Sequence, residues 1–299
     1  MPTECEFNVD HVRRLIALAR EEDLGPHGDV TTQLLPPHTA AATGAWHLTS
    51  RTTGRFCGSE LLPILLEELA PEVHLDWCRA TSLQEDLEPG QPVARLSGHV
   101  GQMLVAERTI LNFLQHLSGI ATLTARFVSA VAGTRARIFD TRKTMPGMRS
   151  LEKYAVRCGG GHNHRTGLYD AVLLKDNHLA GVPTGRLAHT VFDMLNRLAS
   201  LPVRPTFVEV ECDGLDQFAE LLKVVGIDVI LLDNFSNEAL GTAVQLRDRE
   251  GLKGKLELEA SGGATLESVR RIAETGVDRI AVGAITHSAP ILDLGLDAA

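Results

Sequence analysis

VILLD, residues 229–233, is the clearest of six strand-like runs in the second half of the chain: four apolar residues followed by an acid. Short apolar runs of this kind are typical of strands that are buried on both faces. Helical segments separate the runs, beginning near Arg149, Arg186, Leu215, Ser236 and Thr265. Strands that alternate with helices, without hairpin signals, predict parallel βαβ units. The other runs are RIFD (137–140), AVLLK (171–175), FVEVE (207–211), LELEA (256–260) and RIAVG (279–283).

Polar residues gather at the carboxyl end of each of these runs, which bears on how the strands are arranged. In a parallel barrel such ends meet on one face, where barrel enzymes carry their chemistry. In a doubly wound sheet the ligand lies only at the switch point of the strand order. The pattern therefore favours an α/β barrel, although six strands do not support a closed eightfold one. The polar residues are Asp140, Thr141, Arg142 and Lys143; Lys175 and Asp176; Glu209 and Glu211; Asp233; Glu259 and Ser261; and Gly283 and Thr286.

The first third of the chain has a different pattern and predicts a mixed α+β unit. Apolar residues at helical spacing predict a helix over residues 8–22 and another over 59–69, with Pro63 in the first turn of the second. Residues 72–78 and 92–98 are predicted to be strands. A long helical region follows over 101–133, with a break suggested near Gly119.

Composition excludes several classes of protein. The chain of 299 residues is acidic, with a formal net charge of −9 and a pI near 5.7, which argues against binding to nucleic acid or to anionic membranes. Five cysteines without a C-x-x-C spacing predict reduced thiols in a cytoplasmic protein rather than disulfides or a zinc site. Neither a signal peptide nor a membrane span is predicted.

Residues 135–178 carry a net positive charge although the whole chain is acidic, because they contain nine basic and four acidic residues. A solvated helix face accounts for Arg149, Lys153 and Arg157, which have helical spacing. Four of the other cations lie at strand ends or in glycine-rich loops, where an anionic ligand is the better interpretation: Arg142, Lys143, Arg165 and Lys175. Arginine is the natural bidentate partner of carboxylates and phosphates, and lysine supplies a point charge.

The loop CGGGHNHR, residues 158–165, is interpreted as a flexible segment that brings an imidazole and a guanidinium to an anionic substrate. Two alternatives stay open: a metal held by His162 and His164, for which two further ligands are missing, and a loop with ordinary surface histidines.

Carboxylates form the second group of candidates. Glu209 and Glu211 share one face of their strand by the period of two, and Asp233 ends the next strand. Buried acids need a cation or a hydroxyl as partner. Glu211 and Asp233 could therefore hold sugar hydroxyls, Mg²⁺ or a developing positive charge.

Two loops of small residues follow the last two strands, EASGGAT (259–265) and AVGAITH (281–287). Backbone N–H groups in such loops can converge on a phosphate, and paired loops after the last two strands are the usual phosphate grip of barrels. A phosphate grip, several cations and two or three carboxylates together suit a phosphorylated sugar joined to another polyanion.

Several of these motifs, in the same order along the chain, resemble those of the quinolinate phosphoribosyltransferase family. The long segment DTRKTMPGMRSLEKYAVRCGGGHNHRTGLYDAVLLKDNH, residues 140–178, is similar to the family's signature. The same order of motifs continues with ERTILNFLQHLSGIAT, VEVE, LLDNF, EASGGAT and VGAITHSAPILDLGLD. The resemblance implies an N-terminal α/β sandwich and a type II phosphoribosyltransferase-like open barrel of seven strands, one more than the sequence predicts. The expected domains are 1–117, to which the tail 287–299 returns, and 118–286.

The resemblance also implies an activity. Quinolinate and phosphoribosyl pyrophosphate, with Mg²⁺, would give nicotinate mononucleotide, pyrophosphate and CO₂ in de novo NAD biosynthesis. Lys143, Glu211 and Asp233 are expected to be catalytic, with Glu211 favoured over Glu209 by the family spacing. The expected substrate-binding residues are these three with Arg108, Thr141, Arg142, His164, Arg165 and Lys175. The expected 5′-phosphate residues are Ser261, Gly262, Gly263, Val282, Gly283 and Ala284.

Arg108 is expected to act in the neighbouring subunit of a homodimer, which could assemble further into a hexamer of three dimers. The alternative interpretation is that Arg108 is an ordinary surface residue or forms a salt bridge, since Glu107 lies beside it. Three rival functions stay open: a barrel aldolase with Lys175 or Lys143 as Schiff base, a non-catalytic sensor of a phosphorylated metabolite, and a phosphoribosyltransferase for another acid.

Overall fold

The computed structural model describes residues 7–78 and 86–299 of the chain, which form two compact units. The first unit comprises residues up to Ala125, Met145–Gly160 and Ser288–Ala299, and the second comprises Arg126–Thr144 and Gly161–His287. Cys5 lies outside the described residues, and the four described cysteines are free thiols. No helix in the described part of the chain is long and apolar enough to cross a membrane.

The first unit contains a four-stranded antiparallel sheet in the order β12-β1-β5-β3 and a small antiparallel pair, β2-β4. The chain's last strand pairs with its first, from Trp46 opposite Ala298 to Ser50 opposite Leu294. The strands are β1 (Thr43–Ser50), β2 (Gly54–Arg55), β3 (Val73–Trp77), β4 (Asp86–Leu87), β5 (Pro92–His99) and β12 (Leu294–Ala298).

The helices of this unit follow the predicted amphipathic patterns. The first begins at an Asn8 cap, whose side chain accepts the N–H of His11, and it buries Val12 and Ile16. The long helix runs through Gly119 without the suggested break. A side chain at Gly119 would lie 2.1 Å from the carbonyl oxygen of Pro290, so this position admits only glycine. The helices are α1 (Val9–Leu24), α2 (Pro37–Ala40), α3 (Leu61–Leu69), α4 (Val100–Ala130), whose last five residues belong to the second unit, and α5 (Arg149–Cys158).

The second unit is built on six parallel strands in the order β6-β11-β10-β9-β8-β7. All six predicted strands are confirmed. They are β6 (Arg137–Phe139), β7 (Val172–Leu174), β8 (Val208–Cys212), β9 (Val229–Asp233), β10 (Glu257–Ser261) and β11 (Arg279–Ala281). The helices are α6 (Thr184–Leu195), α7 (Leu215–Leu221), α8 (Asn237–Arg249), α9 (Val269–Glu274) and α10 (Ala284–His287).

The strand order is that of a barrel with one opening. Strands β7 to β10 each pair with the next strand along the chain, and β11, the last strand of this sheet, pairs with its first, β6. On its other side β6 forms a single parallel bridge, Phe139 to His162, in which the N–H of His162 donates to Ile138 and the N–H of Asp140 donates to His162. This one-residue bridge stands where a seventh strand belongs, between β6 and β7. All carboxyl ends of the strands therefore lie on one rim, which places the predicted polar residues together.

The helix after β10 begins later than predicted, at Val269 rather than near Thr265. Thr265 and Ser268 form a turn in which the N–H of Thr265 donates to the hydroxyl of Ser268 at 2.9 Å. Ser and Thr side chains offer the backbone this alternative to helical bonding.

Candidate active site

Asp140 fixes the glycine-rich loop to the rim of the barrel. It follows β6 and is fully buried, and one of its oxygens accepts the side-chain amide of Asn163 at 2.6 Å. The other accepts the backbone N–H of His164 at 2.8 Å. With the bridge at His162, these bonds hold residues 162–164 in place, so the expectation of a flexible loop does not hold for this segment.

His164 points into the barrel and is 8% exposed. Its Nδ1 accepts the backbone N–H of Arg165 at 2.8 Å, so in the neutral ring the proton lies on Nε2. Nε2 lies 2.7 Å from Oε2 of Glu209 and 3.6 Å from Oε1 of Glu259. His162 instead stacks on Phe139, with ring centroids 5.3 Å apart. The two histidines thus do not form a shared metal site.

Glu209 and Glu259 are both 0% exposed and form the deeper acidic layer of the barrel. Burial disfavours the carboxylate form and raises the pKa of Glu209 to about 8, and it raises the pKa of Glu259 to about 8 as well, with the nearby Glu209 contributing. Burial therefore favours the neutral, protonated form of both acids. Within the described residues, Oε1 of Glu209 and both oxygens of Glu259 have no hydrogen-bond partner.

Glu211 lies on the same face of β8, two residues nearer the rim, and its environment is different. Its Oε2 contacts the ammonium of Lys175 at 2.6 Å, and the Lys175 side chain is 41% exposed. Oxygens of Glu211, Asp213 and Asp233 all lie within 4.8 Å of one another, a spacing that could hold a metal ion. Sequence reasoning found Glu211 and Asp233 but missed Asp213, because an Asp-Gly pair after a strand is an ordinary turn signal.

The guanidinium groups of Arg142 and Arg165 are near enough for their charges to interact. Arg165 is 8% exposed and donates to the carbonyl of Ala171 at 3.3 Å. Burial lowers the pKa of Arg165, and the positive charge of Arg142 lowers it further. Nε of Arg142 is buried and has no partner among the described residues. Two crowded guanidiniums with an unused donor form a site suited to an anion.

Lys143 lies beside the second predicted phosphate loop. The carbonyl of Lys143 accepts the hydroxyl of Thr286 at 2.8 Å, and its N–H donates to the hydroxyl of Thr141 at 3.0 Å. A methyl group at Gly283 would lie 3.1 Å from Cδ of Lys143. The N–H of Val282 is engaged by Phe139, so Val282 shapes the loop rather than offering a donor.

The first predicted phosphate loop, residues 261–263, follows β10 on the neighbouring strand. Gly262 has φ +109° and Gly263 has φ +61°, both in the left-handed region that favours glycine. A methyl group at Gly263 would meet nothing within 4 Å, whereas one at Gly262 would lie 2.2 Å from Oδ1 of Asn234. Gly263 therefore faces open space and Gly262 is closely covered.

Comparison with known proteins identifies this arrangement. The family described as quinolinate phosphoribosyl transferase, C-terminal domain, matches residues 120–297, and its N-terminal domain matches residues 29–118. The chain belongs to the quinolinate phosphoribosyl transferase family. A relative from Mycobacterium leprae (strain TN), named carboxylating nicotinate-nucleotide pyrophosphorylase, is 44% identical over 301 residues, which covers 99% of this chain and 100% of the relative.

Two further members of the quinolinate phosphoribosyl transferase family extend the comparison. The chloroplastic carboxylating nicotinate-nucleotide pyrophosphorylase of Arabidopsis thaliana is 35% identical, and the match covers 95% of this chain and 82% of the Arabidopsis protein. The structure of the nicotinate-nucleotide pyrophosphorylase from Francisella tularensis is 36% identical with a TM-score of 0.86, and 98% of each chain is covered. The sequence-based assignment to the family and to its fold is confirmed.

The structure brings together all but one of the predicted site residues of this family member on one barrel rim. The exception is Arg108, which lies exposed on α4 in the first unit. Its expected action in a neighbouring subunit stays a prediction, as do the substrate contacts of the rim residues.

Proposed function

We propose that this protein transfers the phosphoribosyl group of phosphoribosyl pyrophosphate to quinolinate and releases CO₂, giving nicotinate mononucleotide and pyrophosphate for NAD biosynthesis. The observation that carries the proposal is the 2.6 Å contact between Lys175 and Glu211. It joins a cationic pocket suited to a dicarboxylate directly to an acidic cluster suited to a ribose and its metal. The family to which the chain belongs supports the same reaction.

Quinolinate would occupy the cationic side, against Arg142, Arg165 and Lys175, with His164 bordering the pocket. Two carboxylates brought beside a pyrophosphate repel one another unless cations separate them. The crowded guanidiniums supply this charge, and the unpartnered Nε of Arg142 offers a donor that a carboxylate can accept. Glu209 keeps the ring of His164 turned inward.

Phosphoribosyl pyrophosphate would lie across the other side of the rim. The open face of Gly263 and the adjoining loop at Gly283 are suited to a 5′-phosphate held by backbone N–H groups. Lys143, aligned by Thr141 and exposed beside Gly283, is placed to reach the pyrophosphate. The full set proposed for the 5′-phosphate site is Ser261, Gly262, Gly263, Val282, Gly283 and Ala284, in which Val282 shapes its loop because its N–H donates to Phe139.

Mg²⁺ is proposed to accompany this substrate, and the residues present fit it. Glu211, Asp213 and Asp233 offer carboxylate oxygens within 4.8 Å of one another, which is the donor type that Mg²⁺ prefers. When bound, the ion would neutralise negative charge on the departing pyrophosphate. Glu211 and Asp233 would orient the ribose and favour the positive charge that develops at C1.

The chemical steps balance without a covalent enzyme intermediate. The pyridine nitrogen forms a bond to C1 of the ribose, while the bond from C1 to pyrophosphate breaks and its electron pair leaves with pyrophosphate. The ring is then a pyridinium. The bond from C2 to its carboxylate breaks next, CO₂ leaves, and the electron pair stays on C2 beside the positive nitrogen until a proton from water replaces the lost carboxylate.

The assembly is proposed to be a homodimer in which Arg108 completes the partner's site. A two-fold interface makes such an exchange reciprocal. The exposed position of Arg108 on α4 leaves it accessible in a single chain. The functional domains are proposed to divide near residue 117, close to the boundary between the two matched family regions. A cytoplasmic location is also proposed, supported by free thiols at the described cysteines.

Release of labelled CO₂ from carboxyl-labelled quinolinate tests this function directly. Purified protein with Mg²⁺ should release CO₂ only when phosphoribosyl pyrophosphate is present, and nicotinate mononucleotide should form in equal amount. Binding of both substrates without CO₂ release would instead indicate a sensor. Transfer to a different pyridine acid alone would indicate the paralogous specificity.

The surroundings of Lys175 and Lys143 argue against an aldolase activity. A Schiff-base lysine needs an apolar pocket or a neighbouring cation that favours its neutral form. Lys175 is instead paired with Glu211, and Lys143 is exposed. Borohydride with a carbonyl substrate should therefore leave the protein unmodified, as judged by its mass.

A further inference from the structure

Asn234 follows β9 directly after Asp233 and has an unusual backbone conformation. Its φ of +55° makes it the one non-glycine residue in the described ranges with a positive φ. The left-handed region costs an ordinary residue roughly 1–2 kcal/mol, less for asparagine, and glycine would adopt it without this cost. Residues in such conformations cluster at functional sites, and Asn234 lies next to a candidate catalytic acid.

The side chain of Asn234 contacts the acid itself. Its Nδ2 donates to Oδ2 of Asp233 at 2.7 Å. The opposite orientation of the amide would place its oxygen against a carboxylate oxygen, so the chemistry of the contact fixes which atom faces Asp233. One carboxylate oxygen of Asp233 also lies within 4.8 Å of oxygens of Glu211 and Asp213.

The same residue also touches the first phosphate loop. The N–H of Asn234 donates to the carbonyl of Ser261 at 2.9 Å. Its Oδ1 covers Gly262 so closely that a methyl group there would lie 2.2 Å away. Asn234 thus connects the acid at the end of β9 with the loop at the end of β10, the strand that pairs with β9.

A simple turn explains only part of this arrangement. Asparagine is tolerated in left-handed turns, so the conformation alone needs no further reason. The turn does not require a bond to Asp233, and glycine would form it with less strain. The amide is the feature that the turn leaves unexplained.

We infer that Asn234 is a positioning residue that aims the Asp233 carboxylate toward the metal and the ribose and keeps it in register with the phosphate loop. This inference rests on the proposed function, since it assigns the role of Asp233 to that reaction. Residues that orient a metal-binding carboxylate typically change metal affinity or activity about 10- to 100-fold when they are replaced.

Replacement by glycine separates this role from a structural one. Asn234→Gly keeps the left-handed backbone and the N–H that bonds to Ser261, and it removes only the amide. We expect kcat to fall about 10-fold or more and affinity for Mn²⁺, measured by calorimetry as a substitute for Mg²⁺, to fall about 10-fold. The KM for quinolinate and the melting temperature should stay close to wild type. Asn234→Asp has the same size but lacks the donor, and its kcat should fall at least as far.

Asn237 provides the matched control, because it lies three residues further on, is exposed, and begins α8. Asn237→Gly should retain wild-type kcat and Mn²⁺ affinity. Wild-type kcat and Mn²⁺ affinity in Asn234→Gly would overturn the inference. So would a lowered melting temperature and kcat with unchanged Mn²⁺ affinity, which would assign a purely structural role. Absence of CO₂ release by the wild type would refute the proposed function, and the comparison of Mn²⁺ affinities would still decide the role of Asn234.

Discussion

Replacing Gly262 by alanine should damage the first phosphate loop in a way that the structure specifies. The new methyl group would lie 2.2 Å from Oδ1 and 2.9 Å from Cγ of Asn234, and the backbone has φ +109°. The strained backbone costs roughly 1–3 kcal/mol. Displacing the Asn234 amide removes its bond to Asp233, which contributes about 1 kcal/mol. The variant should therefore lose about 2–4 kcal/mol, or roughly 5–10 °C in melting temperature for a chain of this size.

Activity should fall together with this stability. Because the loop would shift away from the open face at Gly263, the KM for phosphoribosyl pyrophosphate should rise at least about 10-fold, while affinity for quinolinate should change less. Thermal unfolding and initial-rate kinetics with each substrate varied measure the two effects. Wild-type stability in Gly262→Ala would show that the close contact with Asn234 is not maintained in solution.

Gly263→Ala is the control, since its methyl group would meet nothing within 4 Å and its φ of +61° is less demanding. This variant should lose only about 1–2 kcal/mol. A phosphate bound at the open face would still meet the methyl group, so affinity for phosphoribosyl pyrophosphate should fall. Unchanged affinity in Gly263→Ala would refute the assignment of this loop to the phosphate.

Four further predictions concern charge. Arg165→Ala should weaken quinolinate binding roughly 30- to 1000-fold in calorimetry and phosphoribosyl pyrophosphate binding less, and equal losses would show that the pocket is wrongly assigned. Glu211→Ala should lower kcat with little change in quinolinate affinity, and an unchanged kcat would remove Glu211 from the mechanism. Burial raises the pKa of Glu259 from 4.5 to about 8, so its contribution to stability is present below pH 4.5 and is lost as pH rises through 8. Between pH 6 and pH 9 the melting temperature of Glu259→Gln should thus fall less than that of wild type, and parallel curves would contradict the raised pKa. Inactive Arg108→Ala and Lys143→Ala proteins should regain activity when their subunits exchange, at up to about half of the sites of each hybrid dimer, because one of its two sites has both intact residues. Exchanged subunits without activity would show that Arg108 acts within its own chain or has no role in activity.

The six parallel strands could be predicted because each is a short apolar run between helices, and local composition alone indicates such strands. The first strand, β6, joins the sheet by pairing with the last, β11, from Arg137 opposite Arg279 to Phe139 opposite Ala281. These segments are far apart in the sequence and share no local signal. The bridge at His162 could not be predicted either, because one residue has no periodicity and lies in a loop of glycines.

The candidate site was predictable where function uses chemically unusual residues at strand ends, such as Lys175 and Asp233. It was not predictable where the residue type has a common structural use. Asp213 precedes a glycine and Asn234 follows an aspartate, and both pairs are ordinary turn signals. Only the positions of their side-chain atoms distinguish a turn from a contact with Glu211 or Asp233.

Glu209 and Glu211 show how depth in the barrel gives two identical side chains different chemistry. They are two residues apart on one strand face, so the sequence could establish that they share a direction but not how strongly each is buried. The structure places Glu209 at 0% exposure against His164, where burial raises its pKa to about 8 and it acts mainly as a neutral hydrogen-bonding group. Glu211 lies nearer the rim, where Lys175 is paired with it. The outer acid is therefore the one that lies with Asp213 and Asp233 in the carboxylate cluster at the rim, and the inner one holds His164 at the border of the pocket.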